Sequence, residues 1–135
     1  MSGLVLDTSA AIAMLLTEPQ QDAVLAALDA AEDRVISAVS VLELGIVLES
    51  RLGPAGGAVT ERFVREAALE VVPLDRSMTD LALAGWRRFG KGRHPAAFNL
   101  GDCATYGLSI ATGLPVLCVG ADFPQTDAAV VPLDG

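Results

Sequence analysis

The chain has a single histidine, His94, and only two cysteines among its 135 residues, and aromatic residues make up 4% of it. One histidine excludes a ribonuclease that divides general acid and general base between two imidazoles of one chain. It also leaves a Ser9–His94 hydrolase without the nucleophile turn that such enzymes use. The two cysteines, Cys103 in a helical pattern and Cys118 in an apolar strand pattern, read as small buried hydrophobes rather than a disulfide. No apolar run approaches the roughly 20 residues needed to cross a bilayer. The longest, such as Ala10 to Leu16, fall well short, so no membrane association is expected. The stretch from Met1 to Asp7 has no positively charged segment ahead of an apolar one, and the expected location is the cytoplasm.

Positive charge is scarce as well. Nine basic against seventeen acidic residues give a formal charge of −8, the wrong sign for a protein that coats nucleic acid electrostatically. Four of the nine basic residues, Arg87, Arg88, Lys91 and Arg93, nevertheless cluster just ahead of His94. That run reads either as a solvated charge cluster or as a set of groups that position RNA phosphates. So acidic a body also offers favourable partners to a cationic segment of another protein.

What the chain does have is 52% hydrophobic content in a length that normally makes one compact unit, and a single domain over residues 1–135 is expected. Short apolar runs alternate with longer helical patterns, the signature of an α/β fold with a mostly parallel sheet. Strands are predicted over Leu4 to Leu6, Val35 to Ser37, Val71 to Leu74 and Val116 to Val119, with a weak fifth over Val130 to Leu133. Helices are predicted over Ser9 to Leu16, Gln20 to Ala31, Ser40 to Leu52, Ala58 to Ala68, Ser77 to Phe89 and Leu100 to Thr112. Turns are marked by Glu18-Pro19, by the run Gly53 to Gly57, by Gly90-Lys91-Gly92 and by Gly113-Leu114-Pro115.

In an open parallel sheet ligands bind at the carboxyl ends of the strands, so the acids that follow strands form a separate group. Asp7 directly follows the first strand, and Asp122 follows the strand ending at Val119, across Gly120. Glu43 and Asp102 lie in the first turns of helices that begin at such ends. Taken singly, each has a structural reading. Asp7 caps the first helix, Ser40 to Glu43 and Asn99 to Asp102 fit capping boxes, and Asp122 is a turn residue. Taken together they face one crevice.

Glu43 fits the structural reading least well, because Val39, Leu42, Leu44, Ile46, Val47 and Leu48 surround it and no basic residue follows before Arg51. Burying an ion without a partner is costly. Two carboxylates about 4 Å apart repel by roughly 4 kcal/mol at an effective dielectric near 20. Converging acids therefore need a proton or a cation, and an all-oxygen donor set points to Mg²⁺ or Mn²⁺ rather than zinc.

The stretch Val5-Leu6-Asp7-Thr8-Ser9-Ala10 resembles the opening of the PIN-domain family, an apolar strand ending in Asp followed by hydroxyl residues. Ser40 to Leu44 resembles the family's second-acid helix, Asn99 to Cys103 its third-acid helix, and Gly120 to Phe123 the loop with its fourth acid. Within the family, the stretch from Gly90 to Pro95 and on through Asn99 to Leu108 is most similar to the VapC toxins of bacterial toxin-antitoxin pairs. The resemblance implies a three-layer α/β/α domain that cleaves RNA with Mg²⁺ or Mn²⁺, forms a homodimer and is blocked by a VapB-type antitoxin. It carries the catalytic and metal-binding roles onto Asp7, Glu43, Asp102 and Asp122. Thr8 or Ser9 is placed at the water shell, and Asp127 is an alternative or companion to Asp122.

Three other readings remain at this stage. A haloacid-dehalogenase-like phosphatase would use Asp7 as nucleophile but wants a second acid two residues later, where Ser9 stands. A phosphoacceptor receiver domain wants paired acids early, which are absent. A non-catalytic protein-binding domain would use the acids only as helix caps.

Overall fold

The computed structural model describes residues 2–133. Its elements run β1 (Gly3–Leu6), α1 (Thr8–Leu15), α2 (Gln21–Ala30), β2 (Asp33–Ser37), α3 (Ala38–Leu52), α4 (Ala55–Glu66), β3 (Glu70–Val72), α5 (Arg76–Phe89), α6 (Leu100–Thr112) and β4 (Val116–Leu117). A single 3₁₀ turn, Phe123–Gln125, follows β4. The four strands form one sheet in the order β3-β2-β1-β4, and every pairing is parallel.

Side chains alternate across a strand, so the strand sequences decide which helices cover which face. Leu4, Leu6, Ile36 and Leu117 share a core cluster with Ala10 and Ala13 of α1, Val24 and Leu28 of α2, Leu44 and Leu48 of α3, and Phe63 of α4. Val5 and Val35 turn the other way, onto Leu108 of α6 and Met78 of α5. Val116 joins them on that face, in a cluster with Phe89, Phe98 and Tyr106. The result is the expected three-layer α/β/α arrangement. Leu44, Leu48 and Leu117 are fully buried, and each contributes about 1.5–3 kcal/mol relative to an exposed side chain.

Connectivity places the crevice. The chain moves outward from β1 to β2 to β3, then crosses through α5 and α6 to return as β4 on the other side of β1. The strand order therefore reverses between β1 and β4, and the carboxyl ends of these two strands form the topological switch point of the sheet. Asp7 stands there, its N–H donating to Leu117 O over 3.0 Å as a last rung between the two strands.

Several boundaries differ from the sequence-based expectation. α3 begins at Ala38 because Ser37, the last residue of β2, is its N-cap and accepts from Val39 N at 3.1 Å. Ser40 is thus already inside the helix and does not form the expected capping box with Glu43. α4 begins at Ala55, inside the run expected to be a turn, and Gly56 belongs there because a Cβ would collide with the backbone of Leu48. β4 stops at Leu117, and the weak fifth strand reduces to one bridge between Val130 and Val116. Both cysteines are buried and free, as expected.

Candidate active site

Asp7 is the N-cap of α1 and is only 4% exposed. Its Oδ2 accepts from Ser9 N at 3.1 Å and from Ser9 Oγ at 2.6 Å, and its Oδ1 accepts from Thr105 Oγ1 at 2.9 Å. Ser9 Oγ in turn accepts from Val119 N at 3.0 Å, which ties the chain beyond β4 to the same carboxylate. Burial raises the Asp7 pKa above the usual carboxylate range, against the opposing pull of the Ser9 and Thr105 hydrogen bonds. Thr8 is also buried, and its Oγ1 has no hydrogen-bond partner.

Asp102 sits at the third position of α6 in the capping box that the sequence predicts. Asn99 Oδ1 accepts from Asp102 N at 2.9 Å, and Asp102 Oδ2 accepts from Asn99 N at 3.0 Å. Burial pushes the Asp102 pKa up to about 6, and the negative charges of Asp7, Asp122 and Glu43 add to the rise against the opposing Asn99 N–H. Cys118 registers the same field: burial and then the charges of Asp7, Asp102 and Asp122 push its thiol up to about 12, which leaves it inert.

Glu43 projects from the second turn of α3 and is half-buried. Its carboxylate lies against Gly101, the second residue of α6. Asp122 is exposed at the start of the 3₁₀ turn, which Phe123 anchors by burying its ring 4.9 Å from that of Phe98. Four sequence-predicted acids therefore converge on one end of the sheet, contributed by β1, α3, α6 and the loop after β4.

Asp127 goes elsewhere. Its Oδ2 accepts from Arg88 Nη1 at 2.8 Å and its Oδ1 from the Tyr106 hydroxyl at 3.0 Å. The Asp127 charge is absent from those that raise Asp102. Tyr106 packs among Phe89 and Phe98. Arg88 is thus already paired, and Arg93 stacks over Trp86 with 4.3 Å from its guanidinium carbon to the ring centroid. Lys91 lines an apolar groove of ≈ 480 Å³ with Leu83, Trp86, Phe98 and Leu100, while Arg87 is exposed on the last turn of α5. His94 is half-buried: it meets the Phe89 ring edge-on and accepts from Ala96 N at 3.0 Å.

The donor set fits a hard divalent cation. Every converging group is a carboxylate or hydroxyl oxygen, and among the described residues the ion pairs are Arg62–Glu66, Arg76–Asp80 and Arg88–Asp127, none of which touches the four acids. The orphaned Thr8 hydroxyl adds a buried polar atom beside Asp7 that lacks a protein partner. Among the described residues no three His, Cys, Asp or Glu side chains stand close enough together to form a complete metal-binding group, so the fit rests on the chemistry of the donors.

Two hydroxyl residues here escape a reading based on acids alone. Thr105 and Ser40 are fully buried, their oxygens 3.3 Å apart, and Thr105 reaches Asp7. The available signal is spacing, since Thr105 stands three residues after Asp102 and Ser40 three before Glu43, one helical turn from each acid.

A family model for the PIN domain matches residues 4–129. The ribonuclease VapC30 of Mycobacterium tuberculosis is 42% identical over 130 residues, which cover 96% of this chain and 99% of that protein. A ribonuclease VapC of Mycolicibacterium smegmatis is 40% identical over 128 residues, covering 95% and 99%. Among solved structures, VapC20 of Mycobacterium tuberculosis, described as a toxin cleaving the sarcin-ricin loop, superposes with a TM-score of 0.77 at 14% identity over 95% of this chain and 98% of that one. The DNA-bound VapBC of Salmonella typhimurium gives 0.74 at 22% identity over 98% of each chain. At these identities the two structures establish the fold.

Proposed function

The chain belongs to the PIN domain family, and from that premise we propose that it is a divalent-metal-dependent endoribonuclease, the VapC toxin of a VapBC toxin-antitoxin pair. The observation that carries the reading is the convergence of Asp7, Glu43, Asp102 and Asp122 at the switch point with, among the described residues, no basic side chain paired to them. The near-full-length relatives named VapC ribonucleases support the same activity.

In this reading Asp7 and Asp102 would hold one Mg²⁺ or Mn²⁺, with Glu43 and Asp122 adding negative charge beside it. When bound, such an ion activates a water at neutral pH and neutralises charge on the leaving oxygen of the scissile phosphate. The chain's own contribution is placement. Ser9 and Thr105 hold both oxygens of Asp7, Asn99 holds Asp102 in its capping rotamer, and Thr8 offers its free hydroxyl to the water shell. Arg87, Lys91 and Arg93 are the remaining candidates for RNA phosphates, since Arg88 is committed to Asp127. The phosphatase reading loses its second acid, because the residue in that place, Ser9, is bound to Asp7 itself.

The surface is compatible with the partners of this reading. α3 and the start of α6 meet at Glu43 and Gly101 and expose Leu42, Ile46 and Leu100, at 64%, 59% and 76%. That apolar surface, with the groove beside Trp86, supports a homodimer. The charge of −8 suits a cationic VapB-type antitoxin segment. No helix of the described residues is long and apolar enough to cross a membrane. The activity is tested on an RNA pool with Mg²⁺, with Mn²⁺ and with EDTA: cleavage that needs the ion supports the proposal, and cleavage unaffected by EDTA rejects it.

A further inference from the structure

Beneath the four acids runs a line of buried hydroxyls. Asp7 as a carboxylate only accepts hydrogen bonds, so the one proton of Thr105 Oγ1 is spent on Asp7 Oδ1 at 2.9 Å. Ser40 Oγ, 3.3 Å from Thr105 Oγ1, must then be the donor to Thr105. The order is Ser40 to Thr105 to Asp7, and each residue is at least 96% buried. Each link also joins elements: Ser40 lies on α3 one turn before Glu43, Thr105 on α6 one turn after Asp102, and Asp7 at the end of β1.

We propose that Thr105, seconded by Ser40, is a positioning residue that fixes the Asp7 carboxylate and ties α3 and α6 to the end of β1, so that Asp7 is held in place beside Asp102 to bind a cation. The inference rests on the metal-dependent reading above. Ser9 holds the other carboxylate oxygen through a neighbour two residues away, but only Thr105 ties that carboxylate to the helix carrying Asp102. Outer-shell partners of metal-ligating carboxylates carry about 10- to 100-fold in metal affinity.

The test is Mn²⁺ binding by calorimetry on the full chain, with thermal melts in EDTA as the measure of folding. Thr105→Val, which keeps shape and loses the hydroxyl, should melt within a few degrees of wild type and bind Mn²⁺ about tenfold or more weakly. Thr105→Ser should restore binding, a rescue that a purely space-filling role would not produce. Wild-type affinity in Thr105→Val overturns the proposal. If Thr105→Val fails to fold, Ser40→Ala decides, because that variant keeps the Thr105–Asp7 bond and loses the donor behind it. A several-fold loss supports the line of hydroxyls, and unchanged affinity overturns it. A wild-type chain that binds Mn²⁺ yet cleaves no RNA retires the ribonuclease reading and leaves Thr105 measurable, whereas one that binds no Mn²⁺ ends both.

Discussion

Gly101 and Glu43 are in such close contact that a Cβ on Gly101 would stand 2.5 Å from Glu43 Oε1. The absence of a side chain at the second position of α6 is what lets that helix start beside the acid of α3. It also places Glu43 near the positive end of the α6 dipole. Replacing Gly101 with Ala improves helix propensity by up to about 1 kcal/mol, yet it must move the Glu43 carboxylate. The expected result is a folded protein whose metal-dependent cleavage falls by more than about tenfold, the loss set by displacement of one ligand group. Thermal melts and initial rates measured side by side check it.

Asp102→Asn separates stability from metal binding. The folded-state pKa of Asp102 is raised to about 6, above the roughly 3.9 of an unfolded chain. The folded state therefore binds the proton more tightly, and its stability declines as pH rises from about 4 through 6. Above pH 6 the ionised group is a cost, discounted to about 1 kcal/mol because the side chain is partly exposed. Asparagine keeps the acceptor that Asn99 N uses. The metal-free variant should melt higher than wild type at pH 7.5 and gain less from added Mn²⁺.

The same raised pKa sets the pH dependence of binding. Below about pH 6 a cation must displace a proton from Asp102. The Mn²⁺ dissociation constant should rise by at least about tenfold per pH unit below 6, one proton leaving Asp102 and the buried Asp7, whose pKa is also raised, adding to the slope. Calorimetry at several pH values reads this directly; a flat profile would remove Asp102 from the ligand set.

Asp122 and Asp127 are told apart by their partners. Asp127 is occupied by Arg88 and Tyr106, whereas Asp122 contributes to the field at Asp102. Asp122→Asn should weaken Mn²⁺ binding. Asp127→Asn should leave it within about twofold and cost at most about 1 kcal/mol of stability, the range of an exposed ion pair.

Much of this arrangement is legible in the sequence because strand alternation and helix periodicity are local. Leu4 to Leu6 before Asp7, and Asn99 capping the helix of Asp102, need only a few neighbouring residues to read. What is not legible depends on distant contacts. Gly56 looks like turn chemistry until Leu48 is packed against it. Ser40 fits a cap for Glu43 until Ser37 is seen to end β2 and start α3 at once. Thr105 meets Asp7 across 98 residues, and Arg88 meets Asp127 across 39. No pattern of single residues forecasts those pairs, and they decide which acid is held, which is spent and which basic residues remain for RNA.

Whether the converging acids hold a cation that hydrolyses RNA is decided by cleavage of an end-labelled RNA pool with Mg²⁺ or Mn²⁺ by wild type, Asp7→Asn and Asp102→Asn, with the product ends mapped. Metal-dependent cuts carrying 5′-phosphate and 3′-hydroxyl ends, lost in both variants, are the expected result. Cleavage that survives in both variants, or that leaves 2′,3′-cyclic phosphates from attack by the RNA's own hydroxyl, would contradict it.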